Sequence, residues 1–257
     1  MFKSANREPR EGVGQLLKGP TMGAGLAPAP VRGRVSRTLA QTRPAYIPAD
    51  FTVDEQGFYK RYGKRLLDIA VSSLALLVLL PFFPIVALAI VLSSPGPILY
   101  RSTRLGRHGR AFSFYKFRSM FANAHEHQAY LLHLNEVDGP VFKLANDPRV
   151  TGVGRLLRRT SIDELPQLFN VLTGDMSLVG PRPDVPQQRS LHRAEDWALR
   201  CSVRPGITGL AQAMLRSQAT PDERLALDLR YAREHDAWMD LRIIGWTLTR
   251  LSGKASN

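Results

Sequence analysis

The chain has 257 residues, 44% of them hydrophobic, and a formal net charge of +13 at pH 7. That length holds one sizeable domain with extensions, and that charge predicts an anionic partner: nucleic acid, acidic lipid headgroups or a phosphorylated substrate. The single cysteine, Cys201, excludes an intrachain disulfide and a cysteine-based zinc cluster, and reads as a small buried apolar residue.

Residues 1–50 are rich in Gly, Pro, Ala and Arg and keep no apolar period. They read as a disordered basic tail, either docked on acidic lipid or solvated without a partner. The first 30 residues hold no continuous apolar run, so no signal peptide is expected. Residues 51–62 interleave aromatic and polar side chains, as an interfacial segment would.

Residues 69–92, IAVSSLALLVLLPFFPIVALAIVL, carry no charge and are long enough to span a bilayer as a helix. Two features argue against a simple crossing. Lys60, Arg61, Lys64 and Arg65 precede the run, and Arg101, Arg104, Arg107 and Arg110 follow it, so the positive-inside rule places both flanks in the cytoplasm. Pro81 and Pro84 sit at the midpoint, where they bend the helix and free the carbonyls of Leu77 and Leu80, which lipid cannot satisfy. A re-entrant hairpin, helix–break–helix entering and leaving by one face, resolves both features; a kinked span is the alternative. Residues 51–97 therefore form an interfacial segment and membrane helix, and residues 98–257 a separate domain.

Beyond Pro95-Gly96-Pro97 the pattern is mixed. Residues 98–100 and 112–117 read as short strands around a basic Gly turn at 107–110. Residues 120–134 read as a helix, Asp147-Pro148-Arg149 as a turn, and 153–159 and 164–172 as short helices. Residues 189–200 and 222–251 read as amphipathic helices. In the last, Tyr231, Trp238 and Trp246 among arginines suit an interfacial helix or an ordinary core-facing stripe.

The chemistry concentrates in residues 160–183, TSIDELPQLFNVLTGDMSLVGPRP. Ser161 through Glu164 fit a capping box, but that start would put Pro166 at the fifth helical position, where an amide is normally bonded. Starting the helix at Asp163 moves Pro166 into the first turn. It leaves Asp163 and Glu164 at the helix mouth, exposed and ionised by the dipole. A carboxylate there caps the helix, binds a hard cation or acts as a nucleophile, and the spacing leaves all three open.

Basic residues surround the acids in sequence. Arg158 lies one helical turn before Asp163, and Arg149 closes the Asp-Pro-Arg turn. Arg182 is held between two prolines, and Arg204 opens RPGITG. Lys116 and Arg118 end a strand. A planar guanidinium suits phosphate oxygens. His125 and His127, two apart, fall on different helix faces and form no metal triad. Gly152-Val153-Gly154 lacks the third glycine of a dinucleotide loop and reads as a turn.

Several blocks match one family in order: KRLLDIA with a mid-membrane proline, KFRSM at 116–120, residues 146–183, RPGITGLAQ at 204–212 and LDLRYAREHDAWMDLRII near the end. The chain resembles, over about residues 64–251, the monotopic polyprenol-phosphate phosphoglycosyl transferases of the bacterial sugar transferase family. The resemblance implies an α/β fold, mostly helical with a small sheet, in which a re-entrant membrane helix hairpin carries a membrane-surface catalytic domain with amphipathic helices. It places the protein monotopically on the cytoplasmic face of a bacterial inner membrane. It implies transfer of a sugar phosphate from a UDP-sugar to polyprenol (undecaprenyl) phosphate, releasing UMP and initiating exopolysaccharide or glycoconjugate synthesis.

By the same resemblance Asp163 is the nucleophile that holds the sugar phosphate, and Glu164 helps hold Mg²⁺, with Asp163 beside it. Arg158 and Arg182 lie near phosphate, and Arg204 lies on the nucleotide side. Lys116, Arg118, Arg149 and Gln212 complete the substrate-binding set. The expected partners are the UDP-sugar, the lipid acceptor and anionic lipids rather than nucleic acid; a homodimer stays open. Two other classes compete: a non-catalytic basic membrane scaffold, and a membrane-anchored glycosyltransferase that would release UDP instead of UMP.

Overall fold

The computed structural model describes residues 57–136, 142, 144–215 and 220–255. The basic tail expected at 1–50, and the interfacial segment up to residue 56, lie outside the described residues. The fold is mostly helical, with two small two-stranded sheets.

A π-helical turn, Tyr59–Gly63, leads into α1 (Lys64–Leu79). A 3₁₀ turn, Leu80–Phe82, follows and α2 (Phe83–Ser93) completes the run. The 3₁₀ turn falls where Pro81 and Pro84 remove amide donors, but the backbone stays helical through it, so Tyr59–Ser93 is one long helix and not two helices parted by a break. Among the described residues this is the one helix long and apolar enough to cross a membrane, by length and composition. Leu74, Leu77, Leu80, Phe82, Ile85 and Leu88 are all exposed along it. A contiguous apolar surface of this kind marks an interaction face, not a solvated one.

Both ends of the run are fastened to the rest of the protein. At the start, Lys64 Nζ donates to the carbonyl of Val179 (3.0 Å) and to Asp240 (2.6 Å). Arg65 donates to the carbonyls of Val171 and Leu172 at 2.6 and 2.8 Å. At the end, Arg118 donates to the carbonyls of Pro95 and Ser94, each at 2.6 Å, capping α2 where its last carbonyls lack helical partners. Gly96, at φ +124°, makes room for this, because a Cβ there would collide with the Arg118 guanidinium.

After α2, β1 (Leu99–Leu105) and β2 (Ala111–Phe117) form an antiparallel hairpin that pairs Tyr100 with Lys116 and Arg101 with Tyr115. β1 is longer than the three residues read from sequence. The helix expected over 120–134 is reduced to α3 (Gln128–Leu131) and a 3₁₀ turn, Leu132–Leu134. Tertiary pairing overrides the local pattern there: Met120 bridges to Val150, and Arg149 holds the carbonyl of Ala124 at 3.2 Å.

Next come α4 (Gly152–Thr160), a 3₁₀ turn at Ile162–Glu164 and α5 (Gln167–Thr173). β3 (Ser177–Val179) pairs in parallel with β4 (Gly206–Thr208). Between these strands lies α6 (Ala194–Arg200), preceded by a 3₁₀ stretch, Pro186–Leu191, so the single helix read over 189–200 is divided. α7 (Leu210–Met214), α8 (Pro221–Glu234) and α9 (Ala237–Ala255) close the chain. The helix read over 222–251 is likewise two helices, separated at His235-Asp236.

The largest core joins β3 to α6–α9 through Val179, Leu199, Tyr231 and Ile243. A second joins Ile90 of α2 to Phe117 and Leu157, with Ile162 and Leu165 packed against it. Full burial of each such side chain is worth about 1.5–3 kcal/mol. Ile162 and Leu165 bracket Asp163 and Glu164, so this second core anchors their turn against the apolar helix.

Candidate active site

The carboxylates do not sit at the mouth of α5. Ser161 takes a left-handed conformation (φ 58°), ends α4 and makes no side-chain cap, so the capping-box reading fails. Asp163 and Glu164 occupy their own 3₁₀ turn, and Pro166 precedes α5 as its N-cap. Nor is Asp163 exposed: only 6% of its surface is accessible. Burial pushes its carboxyl pKa up, outweighing the downward pull of Lys116. Burial and the neighbouring charges set its electrostatics.

Glu164 behaves oppositely. Burial would raise its pKa, but Arg182 and Lys116 more than offset it and hold the carboxyl at about 2. Lys116 Nζ lies 2.6 Å from Glu164 Oε1 and 3.7 Å from Asp163 Oδ2, and Arg182 lies 3.2 Å from Glu164. Two adjacent carboxylates are thus pushed apart in acidity, one kept strongly ionised and the other reluctant to ionise.

Asp163 and Glu164 face a cavity of about 790 Å³ whose walls include Lys116, Arg158 and Arg182. Arg158 comes from the last turn of α4 and donates to Ser119 Oγ at 2.8 Å. Arg182 follows β3. Its carbonyl accepts from Arg200 (2.7 Å), which fixes the Pro-Arg-Pro corner while leaving the Arg182 side chain half exposed. Arg118 and Arg149 also line the cavity, but their guanidinium groups are committed. Arg118 caps α2, and Arg149 pairs with Asp147 at 2.7 Å. Arg204 donates to the Gly174 carbonyl (2.9 Å) and Gln212 to the Ile207 carbonyl (3.2 Å); neither lines this cavity.

Two cations of the cavity were not in the set read from sequence. Arg104 lies 5.3 Å over the Phe114 ring, and its buried Nε finds no hydrogen-bond partner among the described residues. Desolvation and neighbouring Arg182 push its pKa down. Arg101 lines the cavity from the same strand. Strand alternation was the signal that pointed to Arg104: a strand through residue 105 puts Tyr100 and Arg104 on the face of Lys116. Stopping that strand at residue 100 hid it.

Among the described residues no group of three or more His, Cys, Asp or Glu could hold a metal alone. Mg²⁺ does not need one, since it takes one or two carboxylates and completes its shell with water and phosphate oxygens. Asp163 and Glu164, adjacent on one cavity wall, are such an all-oxygen pair, and the donor set fits that ion.

Arg182→Lys separates a phosphate fork from a mere charge. Lysine keeps the positive charge but cannot grip two oxygens at once. A fall in kcat/KM of about tenfold or more is expected in steady-state kinetics, and unchanged kinetics would make Arg182 a corner residue.

Paired carboxylates, cations that converge on one cavity and an apolar helix packed behind the acidic turn make a class of site that suits phosphoryl groups. The comparisons with known proteins narrow this class. The family model described as bacterial sugar transferase matches residues 59–254, and the chain belongs to that family. It is 45% identical over 197 residues to an undecaprenyl-phosphate glucose phosphotransferase of Komagataeibacter xylinus, covering 73% of this chain and 35% of that protein. It is 43% identical over 196 residues to an Escherichia coli UDP-glucose:undecaprenyl-phosphate glucose-1-phosphate transferase (73% of this chain, 40% of that protein). A third relative, exopolysaccharide production protein PSS of Rhizobium leguminosarum, is 43% identical over 197 residues, 72% of this chain and 92% of its own length. The chain thus spans less than half of the first two relatives.

Proposed function

We propose that this protein transfers a sugar 1-phosphate from a UDP-sugar to a polyprenyl phosphate, through a covalent intermediate on Asp163. The observation that carries the reading is the buried Asp163 beside a strongly ionised Glu164, with Lys116, Arg158 and Arg182 around one cavity. The names of the relatives supply the substrate classes.

Phosphoryl transfer asks for charge neutralisation and alignment more than for proton transfer. An Asp163 carboxylate oxygen attacks the β-phosphorus of the UDP-sugar. The bond from that phosphorus to the oxygen bridging the two phosphates breaks, and UMP leaves with the bridging oxygen. The phosphate oxygen of the lipid acceptor then attacks the same phosphorus, and the Asp163 carboxylate departs unchanged. Splitting the reaction lets a soluble donor and a lipid acceptor use one pocket in turn. Burial makes the Asp163 carboxylate poorly solvated and hence a better nucleophile. Lys116 holds Glu164, and Arg158 and Arg182 face the phosphates. Bound Mg²⁺, held by Asp163 and Glu164, would neutralise phosphate charge.

The test is UMP release from membranes given a panel of UDP-sugars, expected to stop in EDTA and return with Mg²⁺. UDP as the nucleotide product would exclude this reading in favour of direct sugar transfer, and full activity in chelator would remove the metal from it.

The re-entrant reading belongs to the same proposal. Both ends of the apolar run bond to one domain, and its middle presents an apolar surface, which supports a hairpin that dips into one leaflet from the cytoplasmic side. Exposed Trp238, Leu241 and Leu248 on α9 suit the membrane surface. Replacing Pro81 and Pro84 together with Leu should restore backbone bonding and move the N-terminal flank across the membrane in part of the population. Labelling single cysteines near Ser4 and Ser256, in a Cys201→Ser background, with an impermeant reagent reads this out. A wild-type N-terminus that labels from outside intact cells would make the segment a simple span.

A further inference from the structure

The β1–β2 hairpin separates two cavities. On one face Tyr100, Arg104 and Lys116 line the catalytic cavity. On the other, Arg101, Tyr115 and Phe117 line a groove of about 940 Å³, closed on its far side by Phe83, Ala87 and Phe169. The cavities meet at the start of β1, where Pro97, Leu99, Arg101 and Phe117 line both. The groove wall is apolar apart from Tyr115 and one cation, Arg101. Arg101 stacks at 5.5 Å over Tyr115 and makes no hydrogen bond or ion pair among the described residues. Its guanidinium, exposed at the strand edge, therefore keeps its donors free.

An apolar trough with a single exposed cation, free of protein partners among the described residues, where it opens onto the proposed phosphoryl-transfer site matches an amphiphile: an apolar chain ending in one phosphate. A nucleotide diphosphate does not match it, because the groove offers one cation where the catalytic cavity offers several. We infer that this groove takes the isoprene units next to the headgroup of the lipid acceptor, and that Arg101 binds the acceptor phosphate and brings it round the edge of β1 toward Asp163. The occupant follows from the charge complementarity and from the continuity of the groove with the catalytic cavity, and it rests on the function proposed above.

Steady-state kinetics in mixed micelles tests it, with the two substrates varied separately. Arg101→Gln should raise the KM for polyprenyl phosphate about tenfold or more, as expected for losing a charge-assisted contact, and by a much larger factor than it raises the UDP-sugar KM. Ala87→Trp, which fills the groove without touching charge, should erase the preference of the wild type for long-chain over two-isoprene acceptors. Equal rises in both KM values, an unchanged acceptor KM in Arg101→Gln, or a chain-length preference kept in Ala87→Trp would each overturn the inference. A burst of UMP from wild-type enzyme without acceptor reports on the covalent step separately. Its absence would sink the intermediate while the acceptor KM values still judged Arg101.

Discussion

Asp163→Asn is expected to abolish turnover while the protein stays folded. Loss of a nucleophile should exceed the roughly 10²–10⁴-fold typical of losing a proton-transfer group. The same substitution should leave stability unchanged or improve it, and the sign follows from linkage. Burial raises the Asp163 pKa in the folded state, so the folded protein holds that proton more tightly than the unfolded chain. Its contribution to stability therefore falls as pH rises from the ordinary carboxylate range through the raised value, and at neutral pH the charged side chain opposes folding. Asparagine removes the charge at nearly constant shape. A dead enzyme with an unchanged or higher Tm is the expected pair of results, and such trade-offs are usual at active sites. Near-normal UMP release from folded Asp163→Asn would exclude Asp163 as nucleophile. The same raised pKa predicts an acid limb in kcat, with activity falling as pH drops through a value above the ordinary aspartate range.

Asp240→Ala should cost the largest share of stability, about 3–5 kcal/mol, because it leaves a buried charge unpaired. Asp240 has no exposed surface. Its carboxylate accepts from Lys64 of α1 (2.6 Å), Tyr231 of α8 (2.7 Å) and Tyr59 (2.5 Å). These bonds fasten the start of the apolar helix to the C-terminal helices. Removing both charges, in Lys64→Met with Asp240→Leu, should recover much of the loss, since a well-packed apolar pair replaces an ion pair at little cost. Denaturant unfolding in detergent measures both. If Asp240→Ala unfolds like wild type, the network does not hold the helix.

The parts of this protein governed by local rules were legible in its sequence. The long uncharged run announced the apolar helix, and the two apolar stretches around a basic turn announced the β1–β2 hairpin, whereas Gly152-Val153-Gly154, read as a turn, is the first turn of α4, capped by Thr151 accepting from the Gly154 amide at 2.9 Å. Two kinds of feature were not legible. The first is the turn carrying the acids. A glycine at a left-handed position announces a helix end, but here Ser161 takes that role, and nothing in its side chain signals it. The acids were therefore placed on the wrong element, although the pair itself was found. The second is the division of labour among arginines. A guanidinium in a Pro/Gly-rich corner serves a phosphate or a backbone carbonyl equally well. Arg118 and Arg204 take carbonyls brought close by the fold, 24 and 30 residues away in sequence. Only the tertiary partner separates them from Arg158 and Arg182, whose guanidinium groups stay on the cavity beside Asp163 and Glu164.

Intact-protein and peptide mass spectrometry after incubation with UDP-sugar and Mg²⁺, without lipid acceptor, tests the central claim most directly. The account predicts a sugar-phosphate adduct on the peptide containing Asp163, absent in Asp163→Asn and discharged when polyprenyl phosphate is added. Product formation with no adduct at any time after mixing, or an adduct on another residue, would contradict it.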